Sequence, residues 1–319
     1  MKNKIMGNKK FLVTGGTGFI GSHLVIRLVK MGKDVHVIAH SEDNFWRLEN
    51  IDKINIEIID INDFDKLNKF ISKLNPDIIV HLAAYVNAER DLNGIDMAIG
   101  NNFNGTLNLL KSLNNIDYDL FINTGTCEEY GDGEAPFQES QREHPVSPYS
   151  LSKTCSTYLC ELFSKIYDKP IITVRPFLTY GPKQTSQMLI PELIRRGIKG
   201  EKMELTAGEQ SRDFIYIDDL IDAFIVLINK YNEFNEYEII NIGTGKQILI
   251  KDIVKLVEEF LPKSEFELGA LSYRKGETIE FYSDNSRIKK LGWNPNFKIK
   301  SGLRDTINWW HNYIKELNF

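Results

Sequence analysis

Cysteine is scarce in this chain, whose 319 residues include three: Cys127, Cys155 and Cys160. An odd number of cysteines cannot pair completely, and no two of them have the spacing of metal ligands. This argues against a disulfide framework and against a metal site, and it predicts a reducing compartment, the cytoplasm.

Long apolar runs and an excess of basic charge are also missing. No apolar stretch approaches the ~20 residues that a membrane-spanning helix needs. The apolar segment after the basic N-terminus, residues 11–13, is too short for the core of a signal peptide. The formal net charge is −5, whereas nucleic-acid and membrane-surface proteins favour a basic face. We therefore expect neither a nucleic acid nor a membrane as a partner.

Short apolar runs that alternate with helical patterns fill the first part of the chain. This alternation predicts an α/β fold, a Rossmann-type doubly wound parallel sheet with helices on both faces. After about residue 180 the pattern loosens, which predicts a smaller C-terminal lobe. We expect a dinucleotide-binding domain over residues 1–180 and a mainly substrate-binding lobe over 181–319, with about 212–245 returning to the first domain.

Three glycines lie between the first predicted strand and the first predicted helix. Gly15, Gly18 and Gly21 form a G-x-x-G-x-x-G pattern. Glycine allows a sharp turn and close approach to a pyrophosphate, and the helix N-terminus offers free N–H groups. The pattern therefore favours a dinucleotide loop, and a tight strand–helix turn without a ligand is the alternative.

The segment after the second strand, "VIAHSEDNFWRL", selects between the two nicotinamide cofactors. An acid at the strand end binds the ribose hydroxyls of NAD, and a basic group accepts the 2′-phosphate of NADP. Here the strand ends without an immediate acid, and His40 and Arg47 are nearby. We therefore expect NADP(H), with ribose binding by Glu42 or Asp43 as the alternative.

Tyr149 and Lys153 are four residues apart at the start of a predicted helix and therefore lie on one helix face. A nearby ammonium and a positively charged nicotinamide would lower the pKa of the phenol. Such a tyrosine can exchange a proton with a sugar oxygen while hydride moves at the carbon.

With these residues the chain resembles the extended short-chain dehydrogenases/reductases, in the nucleotide-sugar epimerase, dehydratase and 4-ketoreductase branch. The resemblance extends over nearly the whole chain. It is carried by GGTGFIG (15–21), Asp60-Ile61, HLAA (81–84), NNFNGT (101–106), Thr126, YSLSK (149–153), RPFLTYGP (175–182), GEQSRDFIYIDD (208–219), NIGTG (241–245) and LGWNPNF (291–297).

The resemblance implies roles for individual residues. The catalytic group comprises Thr126, Tyr149, Lys153 and Glu128. Arg212 and Arg274 would bind the phosphates of the substrate, with Thr126 on the reacting sugar oxygen. With His40 and Arg47 from the end of the second strand, the predicted cofactor group comprises Gly15, Gly18, Phe19, Ile20, Gly21, His40, Arg47, Asp60, Ile61, Leu82, Ala83, Ala84, Asn102, Tyr149, Lys153 and Pro176. A homodimer built from helices near 97–113 and 150–167 is also implied.

The residues after Thr126 bear on the reaction. In the 4,6-dehydratases that this chain resembles, an Asp and then a Glu follow the catalytic Thr, but here Cys127 takes the first position. A thiol is a poor general acid, so a dehydratase is disfavoured, although Glu128 remains. We expect Glu129 to face away from the site or to support the loop.

The C-terminal part resembles that of deoxysugar reductases such as CDP-abequose synthase. Together with the acid-poor end of the second strand, it favours NADPH-dependent reduction of a nucleotide-linked 4-keto-6-deoxy sugar. An NAD-dependent nucleotide-sugar 4-epimerase is the alternative. A non-catalytic dinucleotide-binding regulator is disfavoured because both Tyr149 and Lys153 are present.

Overall fold

The computed structural model describes residues 9–49, 51, 54–87, 89–234, 237–274 and 276–317. The strands are β1 (Lys10–Thr14), β2 (Asp34–Ala39), β3 (Asn55–Ile58), β4 (Ile78–His81), β5 (Leu120–Thr124), β6 (Ile171–Pro176), β7 (Leu178–Tyr180), β8 (Lys202–Leu205), β9 (Ser211–Arg212), β10 (Phe214–Tyr216), β11 (Glu238–Ile242), β12 (Ile248–Leu249), β13 (Glu265–Leu268) and β14 (Glu280–Phe281). The α-helices are α1 (Phe19–Lys30), α2 (Phe64–Leu74), α3 (Ile95–Ala98), α4 (Gly105–Leu113), α5 (Pro148–Tyr167), α6 (Leu189–Lys199), α7 (Ile217–Asn229), α8 (Ile250–Phe260), α9 (Ser286–Lys290) and α10 (Ile299–Leu317).

The main sheet has seven strands in the order β3-β2-β1-β4-β5-β6-β11. The pairings from β1 to β6 are all parallel. Strands β4, β5 and β6 are buried along their whole length, because helices cover both faces of a parallel sheet. The predicted Rossmann-type α/β fold is confirmed.

The order of the strands places a ligand crevice between β1 and β4. The chain runs from β1 outward to β3 and then returns to β4 on the other side of β1. At such a switch point the connections leave in opposite directions, and a crevice opens at the carboxyl ends of the strands. The glycine segment follows β1, and residues 82–85 follow β4, so both border this crevice.

The helix that precedes β5 contains an irregular turn. Helices α3 and α4 are joined by a π-helical segment, Ile99–Asn104, so the chain is helical from 95 to 113. A π-helical turn within an α-helix widens the backbone spacing and is frequent at functional sites. Asn102 lies in this segment, and its side chain binds the main chain of Tyr85 in the loop after β4.

The chain folds into two compact units. The first comprises 1–131, 142–175 and 221–240, and the second comprises 132–141, 176–220 and 241–319. The first therefore contains most of the main sheet. The assignment of sugar-nucleotide binding to the C-terminal part of the chain stays a prediction.

The second unit is organised around the buried carboxylate of Asp213. This side chain accepts hydrogen bonds from the main-chain N–H groups of Thr244 (2.8 Å) and Gly245 (2.9 Å) and from the hydroxyl of Ser283 (2.6 Å). Full pairing compensates the cost of burying the charge. Two of the motifs that carry the resemblance, around 208–219 and 241–245, are therefore joined by this carboxylate.

Among the residues that the structure describes, no helix is both long enough and apolar enough to cross a bilayer.

Phe121 tests the packing of the main sheet. Its ring is 0% exposed in β5. We expect Phe121→Ala to lower the free energy of unfolding by about 3–5 kcal/mol, because it removes a large buried ring and leaves a cavity. Chemical denaturation measures the change. Ile58→Ala on edge strand β3, where the side chain is 49% exposed, is the matched control, and an equal loss in both variants would contradict the assigned core.

Candidate active site

Two glycines of the loop after β1 are required by the protein's own backbone. Gly15 has a φ of +67°, and a Cβ atom there would lie 2.7 Å from the main-chain N of Ala83. A Cβ at Gly21 would lie 2.2 Å from the main-chain O of Gly15. Any larger residue would therefore push β1, β4 and α1 apart.

Gly18 is less confined than these two glycines, although a Cβ atom there would still make a tight contact with the backbone. A Cβ there would meet only the main-chain O of Gly15, at 3.2 Å. Gly18 is the N-cap of α1 and provides no side-chain cap. The first N–H groups of α1 therefore lack a capping side chain, which suits an anionic group at this helix N-terminus.

A cavity of about 350 Å³ opens at the carboxyl ends of β1, β2 and β4. Its lining includes eight of the predicted cofactor residues: Gly15, Gly18, His40, Asp60, Ile61, Leu82, Ala83 and Ala84. The other lining residues were not predicted from the sequence, and they are Thr17, Ile38, Ser41, Asn44, Ile59, Tyr85, Met97 and Asn101. Of these, Thr17, Ser41 and Tyr85 lie two to four residues after the ends of β1, β2 and β4. Their position after predicted strands was the sequence signal that could have identified them.

Arg47 does not line this cavity. It is 3% exposed, it donates to the main-chain O of Thr17 (3.5 Å) and to the side chain of Asn44, and it stacks 4.4 Å from the ring centroid of Trp46. The guanidinium is thus engaged by the loop after β1 and by its own segment, while the polar groups at the end of β2 that line the cavity belong to His40, Ser41 and Asn44.

Asn102 joins the loop after β4 to α5. Its side-chain oxygen accepts the N–H of Tyr85 (2.7 Å), and its side-chain nitrogen donates to the main-chain O of Tyr85 (3.0 Å) and to Ser152 (2.8 Å). The predicted position behind the cavity therefore has a specific geometry: Asn102 holds one wall of the cavity against the helix that carries Tyr149 and Lys153.

The predicted catalytic side chains belong to the turn that follows β5 and to the beginning of α5. Thr126 caps a short 3-10 turn, Cys127–Tyr130, which follows β5. Tyr149 and Lys153 lie in the first turns of α5, which Ser147 caps by accepting the N–H of Ser150 at 3.1 Å. The Thr126 hydroxyl accepts the N–H of Glu128 at 3.3 Å, and the Thr126 side chain lowers the pKa of the Tyr149 phenol.

Burial governs the ionisation of this group. Loss of hydration, followed by the charge of Glu128, raises the pKa of Tyr149 well above its usual value, and the Thr126 side chain offsets part of the rise. Burial also lowers the pKa of Lys153 to about 8, although the charge of Glu129 opposes this change. In the protein alone the phenol is therefore protonated at neutral pH, and the lysine loses its proton more readily than a free lysine.

His81, the last residue of β4, has a buried side chain. Its ring nitrogens contact the hydroxyls of Thr14 (2.7 Å) and Thr106 (3.0 Å). Burial, and then the charge of Lys153, lowers the pKa of His81 to about 3. A neutral imidazole therefore supports β4 and the helix next to it.

The residues after Thr126 have different environments. Cys127 is 3% exposed, and the Glu128 side chain is exposed. Of these two residues, only Glu128 combines a carboxylate with access to solvent. Glu129, which was expected to face away from the site or to support the loop, is fully buried.

The remaining predicted residues belong to the second unit. Pro176 ends β6. Arg212 forms an ion pair with Glu277 and donates to the main-chain O of Thr278 (2.9 Å), and Arg274 lies 3.8 Å from the same carboxylate. Their predicted role in phosphate binding stays a prediction.

Phe19, Ile20 and Gly21 lie in the first turn of α1, outside the cavity lining. Within the described ranges, no group of three or more His, Cys, Asp or Glu side chains is arranged to hold a metal ion.

A family model for the NAD dependent epimerase/dehydratase family matches residues 11–243. The chain belongs to this family. Its members are nucleotide-sugar enzymes of the extended short-chain dehydrogenase/reductase type, as the resemblance predicted.

Relatives in this family carry out different reactions. The dTDP-glucose 4,6-dehydratase of Haemophilus influenzae is 30% identical over 94% of this chain and 97% of its own. The UDP-glucuronate 4-epimerase of Thermodesulfobacterium geofontis is 30% identical over 94% and 95%. The structure of UDP-glucuronic acid 4-epimerase from Bacillus cereus, in complex with UDP-glucuronic acid and NAD, has a TM-score of 0.87 and 30% identity over 95% of this chain and 99% of that one.

These findings correct the predicted cofactor. The expectation of NADP(H) was wrong, because the epimerase/dehydratase family is NAD dependent and the Bacillus cereus relative was crystallised with NAD. The physical reason lies at the end of β2. The absence of an acid there was read together with Arg47 as a 2′-phosphate site, but the Arg47 guanidinium is buried against Thr17, Asn44 and Trp46.

Gly18 provides a test of the dinucleotide loop. We expect Gly18→Val to reduce NAD affinity by about tenfold or more, roughly 1.4 kcal/mol, because its side chain would occupy the approach to the N-terminus of α1. Titration calorimetry with NAD measures this loss, and thermal unfolding monitors the fold. As the contrast, Gly21→Ala should lower stability, since its Cβ meets backbone. Unchanged NAD affinity in Gly18→Val would contradict the assignment.

Proposed function

We propose that this protein is an NAD-dependent epimerase that acts at C4 of a nucleotide-diphosphate sugar. The observation that carries the proposal is the placement of Thr126, Tyr149 and the buried Lys153, with a buried thiol, and no carboxylate, directly after Thr126. These side chains could move the proton of a carbinol while NAD accepts and returns the hydride, and the set lacks one acid that water elimination would use.

The cavity after β1, β2 and β4 fits the dinucleotide. Gly15 and Gly18 would admit the pyrophosphate, Asp60 and Ile61 would flank the adenine, and Ala83 would line the path toward Tyr149. His40, Ser41 and Asn44 present neutral or weakly basic polar groups that suit ribose hydroxyls. When bound, NAD supplies the acceptor and donor of hydride at C4 of the sugar.

The chain's own residues manage the proton. In the proposed reaction Tyr149 removes the proton of the C4 hydroxyl and later returns it to the 4-keto oxygen. Thr126 accepts the Glu128 N–H and has its own proton available for the phenol or the sugar oxygen. The charged Lys153 and the positive ring of oxidised NAD would oppose the effect of burial on the pKa of Tyr149 and make the phenolate accessible.

Water elimination has less support. In the dehydratases that this chain resembles, the residue after the threonine is an Asp, and Cys127 is a poor replacement because a thiol transfers a proton to a leaving hydroxyl inefficiently. Glu128 keeps a carboxylate at the next position, so a dehydratase is a defined alternative outcome.

Reduction of a 4-keto sugar is a second candidate. It would use the same three side chains, and the resemblance of the C-terminal part to deoxysugar reductases favours it. The end of β2 no longer supports a reductase, because the expected preference for NADP(H) was wrong.

We also propose that Arg212 and Arg274 bind the substrate diphosphate, which suits planar guanidinium groups. We further propose that the protein acts in the cytoplasm.

The fate of NAD in turnover tests the reaction. The purified protein is incubated with UDP-, dTDP-, GDP- and CDP-hexoses, and products are identified by NMR while absorbance follows the nicotinamide. A C4 epimer without net change in NAD is the expected result. Loss of water to give a 4-keto-6-deoxy product would establish a dehydratase, and stoichiometric oxidation of added NADH by a 4-keto sugar would establish a reductase.

Tyr149 provides the mutational test. We expect Tyr149→Phe to lower kcat by about 10²–10⁴, the usual contribution of a general acid–base group, with little change in NAD affinity. Tyr167→Phe is the matched control, because Tyr167 lies at the other end of α5 and is 48% exposed. A Tyr149→Phe protein with normal kcat would exclude the proposed proton transfer.

We also propose that the protein is a homodimer through the outer face of α5. This face carries a row of apolar side chains at helical spacing, Leu151, Tyr158, Leu162 and Ile166, which are 39%, 51%, 55% and 61% exposed. An apolar stripe of this length is unusual on a monomer surface. The predicted pair of helices, near 97–113 and 150–167, would supply the contact.

Charge on this face tests the dimer. We expect the double variant Leu162→Asp and Ile166→Asp to have the mass of one chain, 36.8 kDa, in light scattering, while the unmodified protein has twice that mass. Two buried carboxylates would be too costly to desolvate. Lys165→Ala, on the exposed side of the same turn, should remain dimeric. A monomeric unmodified protein at micromolar concentration would refute the proposal.

A further inference from the structure

A buried carboxylate links the two elements that carry the catalytic side chains. Glu129 is 0% exposed. One of its oxygens accepts the N–H of Thr126 at 2.8 Å, and the other accepts the hydroxyl of Thr157 at 2.9 Å. Thr157 lies four residues after Lys153 on α5. The Glu129 side chain therefore bridges the Thr126 turn and α5.

The local sequence accommodates this carboxylate. Thr126 and Glu129 form a capping box. The Thr126 side chain accepts a main-chain N–H of the turn, and the Glu129 side chain accepts the main-chain N–H of Thr126. The residue before Thr126 is Gly125, where a Cβ atom would lie 2.3 Å from the Glu129 oxygen. The glycine and the glutamate thus depend on each other, four residues apart.

The charge of Glu129 is paired by Arg175 of β6, which is also 0% exposed. The Nε and Nη2 atoms of Arg175 donate to Glu129 at 3.0 and 2.8 Å, a two-point contact with one oxygen. Nη2 also donates to Glu143 at 2.5 Å, and the guanidinium lies 4.6 Å from the ring centroid of Tyr130. Arg175 therefore has two carboxylate partners, of which only Glu129 contacts the catalytic turn.

We propose that Glu129, with Arg175 as its counter-charge, is a positioning residue that holds the Thr126 hydroxyl against Tyr149 and presents a negative charge to Lys153. The kinetic consequences of this inference rest on the proposed C4 chemistry. The contacts of Glu129 with Thr126 and Thr157 do not depend on it. Because Glu129 touches neither substrate nor cofactor in this assignment, it acts through Thr126 and α5.

The charges that face the two catalytic groups fix the sign of the pH effect. Tyr149 faces Glu128, Cys127 and Glu129, and Lys153 faces Glu129, Cys160 and His81. Glu129 raises the pKa of both groups, since a nearby negative charge disfavours the phenolate and favours the ammonium. Glu143 instead accepts hydrogen bonds from Arg175 and from the hydroxyl of Tyr158. Neutralising Glu129 should therefore shift both limbs of the kcat profile to lower pH, whereas neutralising Glu143 should shift neither.

The decisive comparison is between Glu129→Gln and Glu143→Gln. Each leaves Arg175 with one carboxylate, so the two variants lose the same type of ion pair. We expect Glu129→Gln to lower kcat by about 10- to 100-fold with little change in KM, because small displacements of catalytic groups are costly, and to shift the kcat profile to lower pH. Glu143→Gln should keep the kcat and the profile of the unmodified protein.

A third variant separates charge from reach. Glu129→Asp keeps the charge but is one methylene shorter, so it cannot reach Thr126, Thr157 and Arg175 together. We expect a reduced kcat with the original pH limbs. This variant also decides the matter if Glu129→Gln does not fold.

Hydrogen exchange provides a readout that needs no turnover. The Thr126 amide should exchange faster in Glu129→Gln than in Glu143→Gln, because an amide oxygen accepts a hydrogen bond more weakly than a carboxylate. If the unmodified protein turns over no nucleotide sugar, the proposed function fails, and the exchange comparison still decides whether Glu129 holds Thr126. Equal kcat, pH limbs and exchange in the two variants would overturn the inference.

Discussion

The close approach of two backbone segments at the switch point is the constraint on which the site depends. Gly15, directly after β1, and Ala83, directly after β4, are so near that a Cβ atom at Gly15 would lie 2.7 Å from the Ala83 nitrogen. This contact brings the N-terminus of α1 to the wall formed by residues 82–85. The Asn102 side chain then fastens that wall to α5 through Tyr85 and Ser152. Cofactor cavity and catalytic helix are thereby held in one arrangement.

Burial and neighbouring charges set the protonation states of the ionisable groups inside the first unit. Burial raises the pKa of Tyr149, so the phenol is protonated at neutral pH, whereas Lys153, whose pKa burial lowers to about 8, is still mainly charged there. A buried carboxylate–guanidinium pair contributes little net stability compared with apolar residues of similar size. The Glu129–Arg175 pair is better understood through the geometry and the electric field that it gives to Thr126 and Lys153.

Membership of the family and the identity of the reaction depend on different residues. Relatives that match nearly the whole chain include a 4,6-dehydratase and 4-epimerases, so membership of the family does not by itself select the reaction. Elimination of water needs an additional acid and base, while hydride transfer at C4 does not. Cys127 and Glu128 therefore carry more information about the reaction than the motifs that define the family.

The sequence by itself determined the features that depend on local pattern. The alternation of apolar runs predicted the parallel sheet, glycine spacing predicted the turn after β1, and the four-residue interval placed Tyr149 and Lys153 on one face of α5. Tertiary structure alone decided what each polar side chain contacts. Arg47 looked available for a phosphate but is buried against Trp46, and Glu129, which was expected to face away from the site or to support the loop, pairs with Arg175, 46 positions away. Helical and strand periodicities follow from neighbouring residues, whereas the burial and partner of a charge follow from segments that folding brings together.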